Sequence, residues 1–181
     1  MQLDLGGIAK GFIADKVVEV LKKHDVNTAI VDLGGNIYVM GDSPFRKNKP
    51  WNVGIQDPKS VRGTSLGKLP ASNKTIVTSG IYERYLKVDG KTYMHLMNPK
   101  TGYPFDNNLM GVSIITNKSV DGDALSTATF DKGLEKGLKY IEQKKDTEAI
   151  FVTKDKKVYI TSGLKDKFSL LKDSGYTLVE K

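Results

Sequence analysis

The chain has 181 residues, no cysteine and a formal net charge of +7. This length is sufficient for one well-buried domain, and the lack of cysteine excludes a disulfide framework, thiolate catalysis and cysteine metal sites. No apolar run is long enough to span a bilayer, so we expect the chain as given to be soluble. Its lysines are scattered along the sequence, which is typical of a solvated surface and argues against nucleic-acid binding.

The chain opens with a glycine pair that leads directly into an amphipathic helix. In residues 4–11, Asp-Leu-Gly-Gly-Ile-Ala-Lys-Gly, the glycines let a ligand approach the backbone and Lys10 adds a cation. Because backbone N–H groups at a helix start lack intrahelical partners, this turn predicts an anion site. A tight strand-to-helix connection at Gly6–Gly7 is the alternative interpretation, since neither the Walker spacing nor the dinucleotide-binding fingerprint is present.

The helix is predicted over residues 8–24, and a hairpin follows it. Apolar residues lie at the spacing of one helix face. They are Ile13, Val17, Val20 and Leu21. After the helix, β-rich segments at 28–32 and 36–40 flank Gly34–Gly35, a pattern that is typical of a hairpin. The same criteria predict three more strands and two surface loops. The strands are 51–55, 75–78 and 109–116, and the loops are 41–49 and 57–72.

A second hairpin has the clearest turn in the sequence. Asp89–Gly90 suits a two-residue type I′ turn, because both positions of that turn need a positive φ. Such a turn sets the register of the two strands and puts opposite residues on one face of the sheet. The predicted pairs are Val88 with Lys91, Leu86 with Tyr93, and Arg84 with His95.

The last third of the chain is predicted to be helical and then β-rich. Asp121 is a plausible N-cap for a helix over 124–130, and apolar spacing continues into a second segment after Gly133. The tail is predicted as a hairpin and a final strand. These segments are 148–153, 157–161 and 176–179. Helices interleaved with antiparallel hairpins favour an α+β fold over a doubly wound parallel sheet.

Asp123 and Thr127 are the first candidates for chemistry. They lie four residues apart, so a helix places both oxygen-bearing side chains on one face. One carboxylate and one hydroxyl suit a hard cation such as Mg²⁺, which takes its remaining ligands from phosphates and waters. The alternative is structural, with Asp123 complementing the helix dipole and Thr127 an ordinary helix residue.

Two histidines are present. His95 lies on a strand before a turn-rich loop and could act as a general base, although a lone strand histidine is more often a packed or surface residue. His24 ends a lysine-rich helix, where a cationic side chain is favoured for structural reasons.

Five segments, taken together in their order and separation, resemble the ApbE family, the FAD:protein FMN transferases. These segments are 4–11, 33–37, 79–85, 95–102 and 123–127. The resemblance extends over essentially the whole chain. It implies an α+β fold of mixed, mainly antiparallel sheets with packed helices, of the ApbE-like (T-fold-like) architecture. It further implies a Mg²⁺-dependent enzyme that cleaves FAD and moves FMN onto a Thr or Ser hydroxyl of a target flavoprotein, releasing AMP.

The resemblance also implies site residues. Asp4, Lys10 and Met97 match positions that contact FAD, and His95 matches the histidine that assists the attacking hydroxyl. Asp123 is expected to act in catalysis as well as in metal binding. The implied metal ligands are the Gly7 carbonyl and the side chains of Asp123 and Thr127. This set agrees with the chemistry of phosphoryl transfer, which depends on positioning and charge neutralisation.

The chain departs from the family pattern in its length and at two positions. Family members are longer, so residues 1–181 are expected to be a single ApbE-type catalytic domain that lacks its N-terminal part and that is prone to self-association. Met94 stands where many members have a second histidine, and Asn98 where many have aspartate. The full-length family is typically exported and membrane-anchored as a lipoprotein.

The sequence leaves more than one function open. The chain is either a transferase or a flavin-binding or structural fragment of one without transferase activity. A third hypothesis is self-flavinylation, because residues 123–129 loosely resemble the acceptor pattern of the family, with Thr127 in place of its glycine.

Overall fold

Three β-sheets and two long helices make up the described chain. This computed structural model describes residues 5–47, 49–81, 85–98 and 100–179. The helices are α1 (Gly6–Lys23) and α2 (Ser119–Glu142). The strands are β1 (Ala29–Asp32), β2 (Asn36–Met40), β3 (Trp51–Gln56), β4 (Ser65–Ala71), β5 (Lys74–Gly80), β6 (Tyr85–Val88), β7 (Lys91–Met94), β8 (Leu109–Thr116), β9 (Glu148–Thr153), β10 (Lys157–Ile160), β11 (Ser169–Leu170) and β12 (Thr177–Leu178).

The largest sheet has seven strands in the order β1-β2-β5-β8-β9-β10-β12. Its neighbours pair antiparallel except for β10 and β12, which are parallel. Alternate residues of β9 enter two cores, because successive side chains of a strand point to opposite faces. Ile150 and Val152 join the apolar cluster that contains β3 and β4, and Ala149 and Phe151 join the cluster that contains α2. The predicted α+β class is confirmed.

Helix α1 was correctly predicted, but its buried side differs from the apolar face in the sequence. Ile13, Val17 and Val20 are 49%, 36% and 53% exposed. The buried residues are the small or short Gly11, Ala14 and Val18. Small residues face inward because α1 lies close to α2: a Cβ on Gly11 would overlap the Ser119 carbonyl. Bulky side chains are therefore excluded from the contact and lie on the outer side of the helix.

The predicted N-cap of the second helix is wrong. Helix α2 begins at Ser119, and Asp121 lies within its first turn. The N–H groups of Ser119 and Val120 donate instead to the carboxylate of Asp15 on α1, at 2.8 and 3.0 Å. A carboxylate from another helix thus replaces a local cap. The predicted break at Gly133 is confirmed by its φ of 71° and ψ of −175°.

The Asp89–Gly90 hairpin has the predicted turn and register. Both turn residues have positive φ, 48° at Asp89 and 75° at Gly90. Leu86 pairs with Tyr93, and Val88 pairs with Lys91. The third predicted pair includes Arg84, which lies outside the described residues.

One predicted surface loop contains a strand. Residues 65–71 form β4, which pairs antiparallel with β3 and buries Leu66 and Leu69. Its sequence, Ser-Leu-Gly-Lys-Leu-Pro-Ala, is poor in strand-forming residues, so tertiary burial of the leucines decides its conformation. The predicted strands at 51–55, 75–78 and 109–116 are confirmed, as are the strands of the tail.

Candidate functional site

The crossing of α1 and α2 brings together two carboxylates and two helix turns. The Gly11 N–H donates to Asp123 Oδ2 at 2.8 Å, in a buried contact. In the opposite direction, the Asp15 carboxylate accepts from the N–H groups of Ser119 and Val120. Each helix therefore supplies one aspartate to the backbone of the other.

Gly7 lies one helical turn before Gly11. In an ideal α-helix, the N–H of residue 11 points to the carbonyl of residue 7. Since this N–H donates to Asp123, the carboxylate and the Gly7 carbonyl lie at the same turn of α1. Gly7 is exposed, and a Cβ there would meet no atom within 4 Å, so the turn is open to a ligand. Lys10 is exposed on the same helix.

Hydroxyl groups join the next turn of α2 to the end of β5. The Ser79 hydroxyl is 2.8 Å from the Ser126 hydroxyl and 3.3 Å from the Thr127 hydroxyl. The Ser126 hydroxyl donates to the Asp123 carbonyl at 3.0 Å. Asp123 and Thr127 are thus held on one face of α2, as the sequence spacing predicts.

A second polar chain holds the start of α2 on the sheet. The Thr75 and Ser119 hydroxyls are 3.0 Å apart, and the Ser119 hydroxyl donates to Asn36 Oδ1. The Thr75 hydroxyl also donates to the Ile37 carbonyl at 2.9 Å. Nearby, burial and then the negative charge of Asp15 raise the pKa of the Tyr38 phenol. These contacts locate the first turn of α2 relative to β2 and β5.

His95 and Met97 lie on either side of a buried leucine in the chain. Both are exposed, Met97 to 50%. Leu96 between them is 8% exposed and joins the apolar cluster that contains Phe130 of α2. The Leu96 carbonyl accepts from the Phe105 N–H at 3.1 Å. The buried leucine therefore anchors this segment while its two neighbours face outward.

Asp4, the other predicted flavin contact, lies outside the described residues. Those that are described contain no cluster of three or more His, Cys, Asp or Glu side chains suited to a metal. The donors at the crossing are instead a buried carboxylate, a hydroxyl and a backbone carbonyl. Such an all-oxygen set fits a hard cation that takes further ligands from phosphate or water.

Within the described ranges, no helix has both the length and the apolarity to cross a membrane.

Sequence reasoning missed Asp15, Ser79 and Ser126. Asp15 lies four residues after Gly11, so helical spacing puts the two on one face of α1. That spacing is a usable signal only when the contact with α2 is known. Ser79 begins one of the segments that carry the family resemblance, which gives no indication that its hydroxyl contacts α2.

Residues 1–151 match the ApbE family model. The chain belongs to the ApbE family. It is 41% identical over 180 residues to a protein of Klebsiella pneumoniae (strain 342) named FAD:protein FMN transferase; the match covers 99% of this chain and 54% of that protein. A protein of the same name from Treponema pallidum is 40% identical over 177 residues, which cover 94% and 49% of the two chains. The chain thus spans about half the length of these relatives.

Solved ApbE structures share the fold. The ApbE protein of Thermotoga maritima superimposes with a TM-score of 0.82 at 30% identity, over 92% of this chain and 53% of that one. The flavin transferase ApbE of Vibrio cholerae superimposes with a TM-score of 0.75 at 28% identity, over 91% and 52%. The arrangement of α1, α2 and the sheets is therefore an ApbE arrangement.

Proposed function

We propose that this chain forms an ApbE-type catalytic domain, or a portion of one, that transfers FMN from FAD to a protein. The acceptor is a Thr or Ser hydroxyl, and AMP is released. The observation that carries the proposal is the buried Asp123 carboxylate, held 2.8 Å from the Gly11 N–H on the glycine turn of α1. Two relatives that are at least 40% identical carry the name FAD:protein FMN transferase, which supports the same activity.

The proposed metal ligands are the Gly7 carbonyl, Asp123 and Thr127. A Mg²⁺ ion bound there would neutralise charge on the FAD pyrophosphate. Asp123 can serve this role because Gly11 binds its Oδ2 and, among the described residues, no partner binds its Oδ1. Lys10 and the open turn at Gly7 would bind phosphate oxygens, with Asp4 and Met97 as further flavin contacts.

His95 is the proposed general base. The acceptor oxygen would bond to the phosphorus of the FMN moiety, the bond from that phosphorus to the AMP oxygen would break, and the hydroxyl proton would pass to the imidazole. The exposure of His95 supports this role, because the acceptor is itself a protein and must reach the base from solvent.

The proposed partners are FAD and an acceptor flavoprotein, with no nucleic acid. The family resemblance supports an extracytoplasmic, membrane-anchored lipoprotein as the setting of the full-length enzyme. We also propose that the chain on its own self-associates through the exposed apolar side of α1, which includes Phe12, Ile13 and Val20. Sedimentation at rising concentration tests this, and a monomer throughout would refute it.

Calorimetric titration of FAD with and without Mg²⁺ tests the site. We expect Mg²⁺ to strengthen FAD binding to the unmodified chain, and Asp123→Ala to remove that effect. Asp131→Ala is the matched control, because Asp131 is an exposed aspartate on the same helix. Equal binding with and without Mg²⁺ in all three proteins would refute a metal-bridged pyrophosphate.

A flavin-binding fragment without transferase activity is the second candidate, favoured by the match to only 54% of the K. pneumoniae protein. Incubation with FAD, Mg²⁺ and an acceptor peptide separates the two. A peptide mass increase equal to FMN supports the transferase, whereas bound flavin without transfer supports the fragment. If the chain itself gained the FMN mass, residues 123–129 would be the acceptor. His95→Ala should lower transfer and leave FAD binding unchanged.

A further inference from the structure

Two hydrogen-bonded contacts, one through each aspartate, join α1 to α2 at their crossing. In the Asp123 contact, the Gly11 N–H donates to Asp123, and in the Asp15 contact, the Ser119 N–H donates to Asp15. Gly11 and Asp15 are four residues apart on α1, and Ser119 and Asp123 are four residues apart on α2, so the two contacts follow in opposite order along the two helices. They lie one helical turn, about 6 Å, from each other.

The negative charge of Asp15 suits its position at the start of α2. Asp15 accepts two N–H groups that open α2, where free donors and the helix dipole favour a carboxylate. Gly11 allows this approach, because any side chain there would overlap the Ser119 carbonyl. The Asp15 contact therefore sets how closely the first turn of α2 lies against α1.

We propose that Asp15 is a positioning residue for the Asp123 carboxylate. It contacts neither the proposed metal nor FAD directly; it holds the start of α2 so that Asp123, one turn later, reaches the Gly11 N–H beside the Gly7 carbonyl. The metal-related part of this inference rests on the proposed function. The Asp15 contact with α2 and its effect on Gly11 do not.

The first measurement needs no ligand. Amide hydrogen exchange at Gly11 should be roughly tenfold faster in Asp15→Ala than in the unmodified chain, because the Gly11–Asp123 hydrogen bond opens more often once the Asp15 contact is lost. Asp121→Ala is the control: it removes the same charge from the first turn of α2, and Asp121 is exposed. Unchanged Gly11 exchange in Asp15→Ala would overturn the proposal.

The second measurement is the Mg²⁺ concentration that gives half-maximal strengthening of FAD binding. We expect Asp15→Ala to raise it roughly tenfold, a loss of about 1.4 kcal/mol, and Asp121→Ala to leave it unchanged. Asp15→Asn keeps one acceptor oxygen and should lie between. If Asp15→Ala unfolds, Asp15→Asn supplies both readouts. Equal shifts for Asp15→Ala and Asp121→Ala would overturn a specific role for Asp15.

A double variant separates an action through Asp123 from a general loss of structure. In Asp123→Ala, adding Asp15→Ala should produce no further acceleration of Gly11 amide exchange, because the acceptor that Asp15 positions is already absent. A further acceleration would contradict the proposal. If the unmodified chain binds FAD without any Mg²⁺ effect, the proposed function fails, and the Gly11 exchange result still decides whether Asp15 positions Asp123.

Discussion

The two halves of α2 differ in the polarity of the side chains that they bury. Before the break at Gly133, four of the six buried residues are polar, namely Ser119, Asp123, Ser126 and Thr129, and the other two are Gly122 and Phe130. After the break, the buried residues are Gly137, Leu138 and Ile141. Buried polar groups destabilise a fold unless they are hydrogen-bonded, whereas buried apolar groups stabilise it directly.

This contrast separates the two tasks of the helix. Ser119, Asp123 and Thr127 in the polar half make directional contacts to β2, α1 and β5, and these contacts orient Asp123 and Thr127. The Thr129 hydroxyl is buried without a hydrogen-bond partner among the described residues. The apolar half packs on β8 and β9 and supplies stability without any demand on orientation at the site. Substitutions in the two halves should therefore affect different measurements.

The largest expected effect is on stability, in the apolar half. Ile141 is fully buried, so Ile141→Ala should lower the free energy of unfolding by about 2–5 kcal/mol. Urea unfolding measures the change. The FAD affinity of the folded protein should stay the same. Val61→Ala, at a site that is 80% exposed, is the control and should change stability by less than about 0.5 kcal/mol. Similar losses in both variants would contradict the assignment of the core.

The break between the halves should be nearly as sensitive. Gly133 has a φ of 71° and a ψ of −175°, a region that is essentially restricted to glycine. Gly133→Ala should therefore lower the free energy of unfolding by about 1–3 kcal/mol. Thermal unfolding of Gly7→Ala gives the comparison, because Gly7 is helical and a Cβ there meets no atom within 4 Å. If Gly133→Ala unfolded with the same free energy as the unmodified chain, the break at Gly133 would not be needed for stability.

A smaller effect on stability is expected in the polar half, where a substitution should also weaken FAD binding. Ser126→Ala removes the hydroxyl contacts to Ser79 and to the Asp123 carbonyl. It should lower the free energy of unfolding by about 1 kcal/mol and weaken Mg²⁺-dependent FAD binding. Ser162→Ala removes a 2.8 Å bond to Glu142 at the far end of α2 and should leave binding unchanged. Equal binding losses would refute the separation.

The smallest effect is a pH dependence that originates outside α2. Burial alone would raise the pKa of Asp57, but hydrogen bonds from Tyr176, Ser60 and the Lys59 N–H, together with nearby Lys156, lower it below its ordinary value. The Tyr176 hydroxyl donates to Asp57 Oδ1 at 2.6 Å. A lowered carboxyl pKa means that this stabilisation is present above the ordinary pKa and is lost as pH falls through the lowered value.

Thermal midpoints between about pH 2 and 5 measure this dependence, a range that includes the ordinary aspartate pKa. Asp57→Asn should flatten the decline of the midpoint toward acid and leave FAD binding at neutral pH unchanged. An identical decline in both proteins would show that Asp57 makes no contribution. A loss of FAD binding would mean that polar burial outside α2 also acts on the site.

Features that depend on neighbouring residues could be predicted from the sequence. The Asp89–Gly90 turn follows from its own two residues, because both adopt a positive φ, and the turn then sets the register of Leu86 with Tyr93. The common face of Asp123 and Thr127 likewise follows from helical spacing. Strand β4 was missed because its local preferences are weak and the burial of Leu66 and Leu69 depends on distant parts of the chain.

The sequence by itself determined the positions of the two helices, the hairpins and the segments that resemble the ApbE family. Only the tertiary structure decided which side of α1 is buried and which aspartate binds the start of α2. Bulk and apolarity favour Ile13 and Val17 as a buried face, yet close helix approach selects Gly11 and Ala14. Asp15 binds Ser119 across 104 residues, a contact to which local propensity contributes nothing.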